Sequence, residues 1–293
     1  MRILVTGATG FLGNALTNAL IADDHKLAAI VRPTSDTTQL SKKSDLLALY
    51  SVQHRRDIYK AIENFRPQAV FHTACAYGRN GENPVEMHET NVTFGLDILQ
   101  ALSDTEIAAY MINVGTVLES TVNMYALTKN HFSEAGKMIA AQSNHGLKFI
   151  NLKLQHMYGP GDSKTKFFTY VLHSCQSNQP KIDLTDGTQN RDFVYIRDVV
   201  LACLHILTVR TQIGVAEDLD IGTGNAPELR AVVKLIHSLT HSSTELRFGA
   251  IPMRDGEMSL CKADISRMLE LGWQPQYDLV KGLQETIDIE FNT

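Results

Sequence analysis

The stretch that decides the fold of this chain runs from Arg2 to Gly13 and reads Arg-Ile-Leu-Val-Thr-Gly-Ala-Thr-Gly-Phe-Leu-Gly. Its apolar run, residues 3–5, is typical of a buried strand, and an amphipathic helix through Leu16 and Leu20 follows the glycines. Glycines between a strand and a helix permit a tight turn, a close approach of backbone to a pyrophosphate, and close packing of helix on strand. The dipole and amides at the helix start hold phosphate charge. The stretch therefore predicts a dinucleotide-binding turn rather than a plain loop.

Composition limits the class of partner. Of the 293 residues 44% are hydrophobic, enough for a large core, and the net charge of -5 comes without basic runs. This charge disfavours nucleic acid and anionic membranes and favours a small molecule as the partner. The four cysteines lie far apart, so we expect no disulfide framework, no metal site and a reducing, cytoplasmic location. The chain opens directly in a predicted strand and has no long apolar run, so neither a signal peptide nor a membrane span is expected.

Short apolar strands alternate with amphipathic helices along the chain, a pattern that predicts a parallel sheet covered on both faces. We expect an α/β fold: a doubly wound parallel sheet of the Rossmann type with a smaller C-terminal substrate-binding lobe. Turns become frequent after Tyr158, which predicts a dinucleotide-binding domain over residues 1–158. Residues 159–293 would form mainly the substrate-binding lobe, with segments near 192–224 returning to the first domain. Further strands are predicted at 27–31, 45–51, 68–73, 107–114 and 147–154, and helices from about 57 and at 85–102, 123–143 and 164–178.

The end of the second predicted strand, residues 31–33, bears on the choice of dinucleotide. An acidic residue there would bind the ribose diol of NAD, whereas an arginine accommodates the 2′-phosphate of NADP. Arg32 occupies this place and no carboxylate follows before Asp36. The sequence therefore favours NADPH, with NAD(H) as the alternative. Asp57 and Ile58 could flank the adenine, with the aspartate also capping a helix.

Tyr125 and Lys129 are four residues apart on a predicted helix, so their side chains share one face. A phenol with the usual pKa of about 10 is a poor acid or base at neutral pH, but a nearby ammonium stabilises the phenolate. Such a pair is common by chance. On the helix after the fifth strand of a dinucleotide-binding fold, it predicts a catalytic tyrosine whose pKa is lowered by the lysine and by an oxidised nicotinamide.

Motifs distributed over the whole chain match those of a known family. They are Gly7-x-x-Gly10-x-x-Gly13, His72-Thr73-Ala74, Asn91-Val92-x-x-Gly95, Tyr125-x-x-x-Lys129, Arg191-Asp192-Phe193-Val194-Tyr195-Ile196-x-Asp198-Val199 and Leu271-Gly272-Trp273-x-Pro275. Together they resemble the extended short-chain dehydrogenases/reductases of the epimerase/dehydratase family, which act on nucleotide sugars. Residues 151–162, with Lys166-Phe167 and residues 248–251, are most similar to the CDP-abequose and CDP-paratose synthases within it.

The resemblance implies catalytic roles. Tyr125 would exchange a proton with the sugar oxygen, and Lys129 would hold the nicotinamide ribose. The hydroxyl side chain that usually binds the same oxygen is missing, because its position falls on Val114. Thr116, two residues later, would face the same side if the strand continued, so we expect it to take this role rather than only to cap a turn. Asn113 is a further candidate, on the opposite face.

The resemblance also implies binding residues and a homodimer formed through helices 85–102 and 123–143. Arg191 and Arg254 would grip the diphosphate, for which a bidentate guanidinium is suited, whereas His156 could equally be structural. The expected cofactor-binding residues are Gly7, Thr9, Gly10, Phe11, Leu12, Gly13, Arg32, Asp57, Ile58, Thr73, Ala74, Cys75, Asn91, Tyr125, Lys129 and Gln155, and those for a nucleotide-diphosphate sugar are Tyr77, Thr116, His156, Lys166, Arg191 and Arg254.

Three functions stay open. The first is NADPH-dependent reduction of the C4 ketone of a nucleotide-linked 4-keto-6-deoxyhexose in deoxysugar biosynthesis, with a CDP-linked 3,6-dideoxy sugar as its narrower form. The second is a 4-epimerase that retains NAD. A 4,6-dehydratase is disfavoured, because residues 114–118 lack the Thr-Asp-Glu set of those relatives. The third, a sensor that binds NADP without catalysis, is favoured only by Val114.

Overall fold

The structure, a computed structural model, describes residues 1–41, 45–79, 81–254 and 256–291. The chain forms two compact units, Met1–Lys153 with Ala202–Leu219, and Leu154–Leu201 with Asp220–Thr293. The elements up to the sixth strand are β1 (Arg2–Thr6), α1 (Phe11–Ala22), β2 (Lys26–Val31), α2 (Thr38–Ser41), β3 (Leu47–Ser51), α3 (Arg55–Phe65), β4 (Ala69–His72), α4 (Pro84–His88), a π-helical turn (Glu89–Thr93), α5 (Phe94–Asp104), β5 (Tyr110–Val114), α6 (Met124–Gln142) and β6 (Lys148–Leu154). The remaining elements are β7 (His156–Tyr158), α7 (Phe167–Gln176), β8 (Lys181–Leu184), β9 (Asn190–Arg191), β10 (Phe193–Tyr195), α8 (Ile196–Val209), a 3₁₀ turn (Arg210–Gln212), β11 (Ala216–Ile221), α9 (Leu229–Leu239), β12 (Glu245–Phe248), β13 (Leu260–Cys261), α10 (Ser266–Glu270) and α11 (Leu279–Phe291).

The first unit is built on a seven-stranded sheet with the strand order β3-β2-β1-β4-β5-β6-β11. Strand β1 runs parallel to both of its neighbours, with Ile3 opposite Leu27 on one side and Ala69 on the other. The pairings from β2 to β3 and from β4 through β6 are also parallel. The strand order therefore reverses between β1 and β4, where doubly wound sheets bind ligands at the carboxyl ends of the strands. The predicted α/β class and doubly wound parallel sheet are confirmed.

The core of this unit explains why its strands read as apolar runs. Residues 3–5 of β1 and all of β4 are buried, because helices cover both faces of the central strands. On one face, α3, α5 and α6 contribute Ile62, Leu99 and Phe132, which have no exposed surface. This packing fixes the carboxyl ends of β1, β4 and β5 relative to one another.

The predicted helix over residues 85–102 is interrupted. It begins with the short α4, whose cap Asn83 accepts hydrogen bonds from the amides of Val85 and Glu86. The π-helical turn follows and α5 completes the run. A π-helical turn inserts one extra residue into a helix and is often found at functional sites. Here it carries Asn91, which has no exposed surface.

Asp57 caps α3 from inside the helix and not from the residue that precedes it. The helix begins at Arg55, two residues before the expected start. The Asp57 carboxylate reaches back to accept the amides of His54 at 3.0 Å and Gln53 at 3.2 Å. These bonds lower the pKa of the carboxyl group. The aspartate therefore acts as the third helical residue of a capping box.

Two buried carboxylates tie the second unit together. Asp192 accepts hydrogen bonds from the amides of Thr223 and Gly224, each at 2.9 Å, and of Ala263 at 3.2 Å. Asp198 accepts those of residues 276 and 277 at 2.9 and 3.0 Å. Three short parallel pairs, β7 with β10, β8 with β12 and β9 with β13, complete the strand pairing of this unit. The aspartates of the motif at residues 191–199 thus join separate loops of one unit.

Neither a membrane span nor a metal cluster is found in the described part of the chain. No helix there combines the length and apolarity needed to cross a membrane. Within the same residues, no group of three or more His, Cys, Asp or Glu side chains could hold a metal ion.

Candidate active site

The turn between β1 and α1 packs directly on the segment that follows β4. Gly7 has a φ of +68°, and a Cβ atom there would lie 2.7 Å from the amide nitrogen of Ala74. A Cβ atom on Gly13 would lie 2.1 Å from the Gly7 carbonyl oxygen and 2.7 Å from the Thr73 hydroxyl oxygen. That hydroxyl donates to the carbonyl oxygen of Thr6 at 2.7 Å. A side chain at either glycine would prevent the turn from packing on the segment that follows β4.

The start of α1 is open to an anion. Its cap residue is Gly10, no side chain caps it, and its first turn contains no acidic residue. Leu12 and Gly13 are buried, whereas Thr9 and Gly10 are exposed at the turn. The positive end of the helix dipole is thus left without a side-chain cap or an acidic neighbour in the first turn. This cradle of bare backbone fits the pyrophosphate of a dinucleotide.

The end of β2 presents a basic side chain and no free acidic one. Arg32 is exposed directly after the strand, and its amide donates to the Ser35 hydroxyl at 3.1 Å. The next carboxylate along the chain, Asp36, accepts both the amide and the hydroxyl of Thr38, at 2.9 and 2.7 Å. Ile58, expected beside the adenine, has its side chain 2% exposed within the core. Of the residues expected near the adenosine, Arg32 is exposed and Asp57 partly exposed, whereas Ile58 is buried.

Tyr125 and Thr116 come together at the start of α6. Asn123 caps this helix by accepting the amide of Ala126 at 2.9 Å, which places Tyr125 in its first turn. The Thr116 side chain acts on the phenol of Tyr125 and opposes the rise in its pKa. Strand β5 has already ended at Val114, so Thr116 reaches the tyrosine from a loop, and its hydroxyl also accepts the amide of Leu118 at 3.2 Å. Thr116 both caps a turn and contacts the tyrosine.

Asn113, at the end of β5, takes part in a buried network. Its side-chain amide donates to Asn151 at 2.8 Å and to Ser133 at 3.2 Å. Ser133 in turn donates to the carbonyl oxygen of Lys129 at 3.0 Å. The network joins α6 to the sheet, so Asn113 supports the helix and does not replace the missing hydroxyl.

The pKa of the Tyr125 phenol is raised well above its usual value, chiefly by burial and further by Tyr77 and Cys75. Thr116 and Arg79 oppose this rise. We expected the Lys129 ammonium to lower the pKa of Tyr125. The protein groups instead raise it. Removing a phenolate from water costs more than these neighbours return. Burial also lowers the pKa of Lys129 itself, whose side chain is 1% exposed. At neutral pH, Tyr125 is therefore a protonated donor.

Asn91 fixes the segment that follows β4. Its side-chain amide donates to the carbonyl oxygen of Ala76 at 2.9 Å and to the Thr128 hydroxyl at 3.0 Å. Its carbonyl oxygen accepts the amide of Ala76 at 2.8 Å. Asn91 thereby ties this segment to α6, a positioning role in addition to the expected proximity to the cofactor. The segment carries Thr73, Ala74, Cys75 and Tyr77, all expected at the site.

His72, at the end of β4, is kept neutral. It has no exposed surface, and its Nδ1 atom lies 2.9 Å from the Thr6 hydroxyl oxygen. Burial and the nearby Lys129 charge lower its pKa to about 3. The histidine therefore supports β1 and β4 without adding charge to the site.

In the second unit, the expected diphosphate ligand Arg191 already has a partner. Its guanidinium is paired with the Glu257 carboxylate and donates to the carbonyl oxygen of Asn190 at 2.8 Å. Arg254 is exposed. Sequence reasoning missed Glu257, because no spacing indicates a partner so far along the chain. A phosphate that binds Arg191 would have to share this guanidinium with Glu257.

The other expected residues of this unit are also held by protein contacts. Gln155 is buried and accepts a hydrogen bond from the Cys261 thiol at 3.3 Å. The Lys166 ammonium lies 2.8 Å from the Asp162 carboxylate. Among the described residues, the buried Nδ1 atom of His156 has no hydrogen-bond partner. Burial, Arg191 and Lys166 lower the pKa of this histidine to about 4, so its ring is neutral.

A family model described as the NAD dependent epimerase/dehydratase family matches residues 3–222. The chain belongs to this family. It is 33% identical to a CDP-abequose synthase of Salmonella muenchen over 99% of the chain and 98% of that protein. It is 25% identical to a UDP-glucose 4-epimerase of Mycolicibacterium smegmatis over 98% of each. The predicted resemblance and the assignment to an enzyme family are thus confirmed.

Solved structures show the same fold. A UDP-glucose 4-epimerase of Thermotoga maritima, solved with UDP-glucose, has a TM-score of 0.85 and 23% identity, covering 98% of each chain. A UDP-glucose 4-epimerase of Thermus thermophilus, solved in complex with NAD, has a TM-score of 0.83 and 21% identity, also covering 98% of each. These likenesses bear on the fold alone.

Proposed function

We propose that the protein reduces the C4 ketone of a nucleotide-linked 4-keto-6-deoxyhexose with NADPH, most narrowly a CDP-linked 3,6-dideoxy sugar. The observation that carries this proposal is Tyr125, partly buried beside Thr116 and kept protonated, in the unit that holds the glycine turn. Similarity to a CDP-abequose synthase along almost the whole chain supports the nucleotide and the sugar.

In this proposal, the first unit binds the dinucleotide and the second the sugar nucleotide. The backbone and the helix dipole at the start of α1 bind the pyrophosphate, and Lys129 holds the nicotinamide ribose. When bound, NADPH supplies the hydride. Tyr125 donates its hydroxyl proton to the ketone oxygen, so the ketone becomes an alcohol and the tyrosine a phenolate. Thr116 orients the hydroxyl of Tyr125 before the transfer.

The protonated state of Tyr125 matches the starting form of a ketoreductase. An epimerase first removes a proton from a sugar hydroxyl, which requires a phenolate. The protein groups instead hold the phenol protonated, because burial opposes its ionisation. A ketoreductase starts from that protonated form.

We expect Tyr125→Phe to lower kcat by a factor of about 100 to 10,000, since it removes the proton donor but keeps the ring. The assay follows the absorbance of NADPH in the presence of CDP- or dTDP-4-keto sugars, and NADPH affinity should stay within about twofold of the wild-type value. Tyr59→Phe is the matched control, because this hydroxyl contacts Asp104 outside the site. Failure of the wild-type protein to reduce any 4-keto sugar, or a Tyr125→Phe variant as fast as wild type, rejects the proposal.

A 4-epimerase that retains NAD is the second candidate, favoured by the similarity to a UDP-glucose 4-epimerase of Mycolicibacterium smegmatis. Such an enzyme returns its hydride and should keep the cofactor through purification. Stoichiometric NAD released from the denatured protein, without net oxidation of added NADPH, would support it over the reductase.

We propose a preference for NADPH on the basis of the exposed Arg32 at the end of β2. Loss of one charge-assisted hydrogen bond should make Arg32→Asp bind NADPH about tenfold more weakly, with little change for NADH. Isothermal titration of both nucleotides gives the dissociation constants. Arg267→Asp, which breaks a surface pair with Glu270 in the second unit, controls for the change of charge. Equal losses in the two variants would contradict the assignment.

We also propose a homodimer, formed through α4 and α6. The rings of His88 and His131 lie 5.6 Å apart, so exposed residues of both helices share one surface. On it, the exposed fractions are 65% for Val85, 46% for Leu127 and 63% for Met138. Burial of such apolar side chains favours association. Sedimentation velocity should show a dimer that Met138→Glu dissociates and Val280→Glu, on α11, does not; a wild-type monomer would refute it.

A further inference from the structure

The segment after β4 presents Tyr77 from a fixed backbone. On one side, Ala76 is held through both its amide and its carbonyl oxygen by Asn91. On the other side, Gly78 turns the chain at a φ of +70°, and a Cβ atom there would lie 2.9 Å from the sulfur of Met87. Because both neighbours are constrained, the direction of the Tyr77 side chain is set by the backbone.

The Tyr77 ring covers the ring of Tyr125. The ring centroids are 4.9 Å apart and the planes are 22° from parallel, which is a stacked arrangement. Tyr77 remains 42% exposed, so it forms the outer layer and Tyr125 the inner one. The Tyr77 ring thus covers one face of Tyr125, while Thr116 acts on its phenol. Stacked rings of this kind favour one relative orientation.

Arg79 extends the stack outward. Its guanidinium carbon lies 5.9 Å from the centroid of the Tyr77 ring. A cation at this distance is attracted to the face of an aromatic ring. Arg79 directly follows the constrained Gly78. The turn that orients Tyr77 therefore also positions the Arg79 guanidinium. Arg79 also opposes the rise in the pKa of Tyr125, which places its charge close enough to act on the phenol.

We propose that Tyr77 and Arg79 are positioning residues for the proton donor: Arg79 holds the Tyr77 ring, and that ring holds Tyr125 in the orientation from which it donates. The inference rests on the proposed ketone reduction. In this inference, the aromatic ring of Tyr77, and not its hydroxyl, positions Tyr125. This role requires no contact of Arg79 with the substrate, and it adds to the substrate-binding role expected for Tyr77.

The kinetic test compares paired variants in the ketoreductase assay. Misorientation of a proton donor lowers kcat, so Tyr77→Ala should reduce it about tenfold or more and leave the KM for NADPH within about twofold. Tyr77→Phe, which keeps the ring, should recover most of the kcat lost in Tyr77→Ala. Arg79→Gln should lower kcat by about threefold or more, and Arg79→Lys should recover most of the loss. Arg210→Gln is the matched control, because Arg210 lies at the same 5.9 Å from a tyrosine ring, that of Tyr110.

Three kinetic results would overturn the inference. Equal losses in Tyr77→Phe and Tyr77→Ala would assign the effect to the hydroxyl. A rise in the KM for the sugar with unchanged kcat would make Tyr77 or Arg79 a substrate ligand instead. No loss of kcat in Tyr77→Ala would remove the need for the stack.

A second measurement does not depend on turnover. Tetranitromethane nitrates accessible tyrosines, and mass spectrometry of the peptide that contains Tyr125 reports its exposure. The ring of Tyr125 should resist nitration in the wild-type protein and in Tyr77→Phe, and should react in Tyr77→Ala. Equal nitration in all three would refute the stack. If the wild-type protein reduces no keto sugar, the proposed function fails, while this measurement still decides whether Tyr77 shields Tyr125.

Discussion

Close packing of the first glycine turn on the end of β4 is the constraint on which the rest of the structure depends. The turn can lie there only because Gly7 and Gly13 have no side chains, since a Cβ atom on either would meet backbone at less than 3 Å. The same contact brings the residues after β4 beside the start of α1. These residues include Cys75 and Tyr77, which both act on Tyr125. The proposed cofactor cradle and the proposed proton donor are therefore placed by one contact within the first unit.

Burial, more than charge, sets the chemistry of the candidate site. The Lys129 side chain shares a helix with Tyr125, yet burial raises the pKa of the phenol and lowers that of the lysine. His72 is likewise held neutral. A site that disfavours charge before ligands bind is suited to a donor that must keep its proton until the ketone oxygen takes it. This link joins the packing of aromatic and apolar groups to the direction of the proposed reaction.

The fold could be predicted because strands that are covered on both faces have apolar sequences. The glycine turn could be predicted because its three glycines lie close together in the sequence. Tyr125 and Lys129 followed from helical spacing. Other features depend on contacts between residues that are distant in the sequence. Tyr77 and Cys75 raise the pKa of Tyr125, and Glu257 pairs with Arg191. Helical periodicity does not reveal one inserted residue, so the π-helical turn was missed. Thr116 reaches Tyr125 by a loop path that strand alternation cannot describe.

The central claim, that the bare backbone of this turn is a dinucleotide cradle, is tested most directly by isothermal titration of Gly13→Ala with NADPH. Because the added Cβ atom would meet the Gly7 carbonyl oxygen at 2.1 Å, affinity should fall by about tenfold or more while circular dichroism shows the folded chain. Gly214→Ala, whose nearest obstacle is the flexible Glu217 side chain at 3.3 Å, is the control and should bind as wild type does. An unchanged dissociation constant for a folded Gly13→Ala variant would contradict the account.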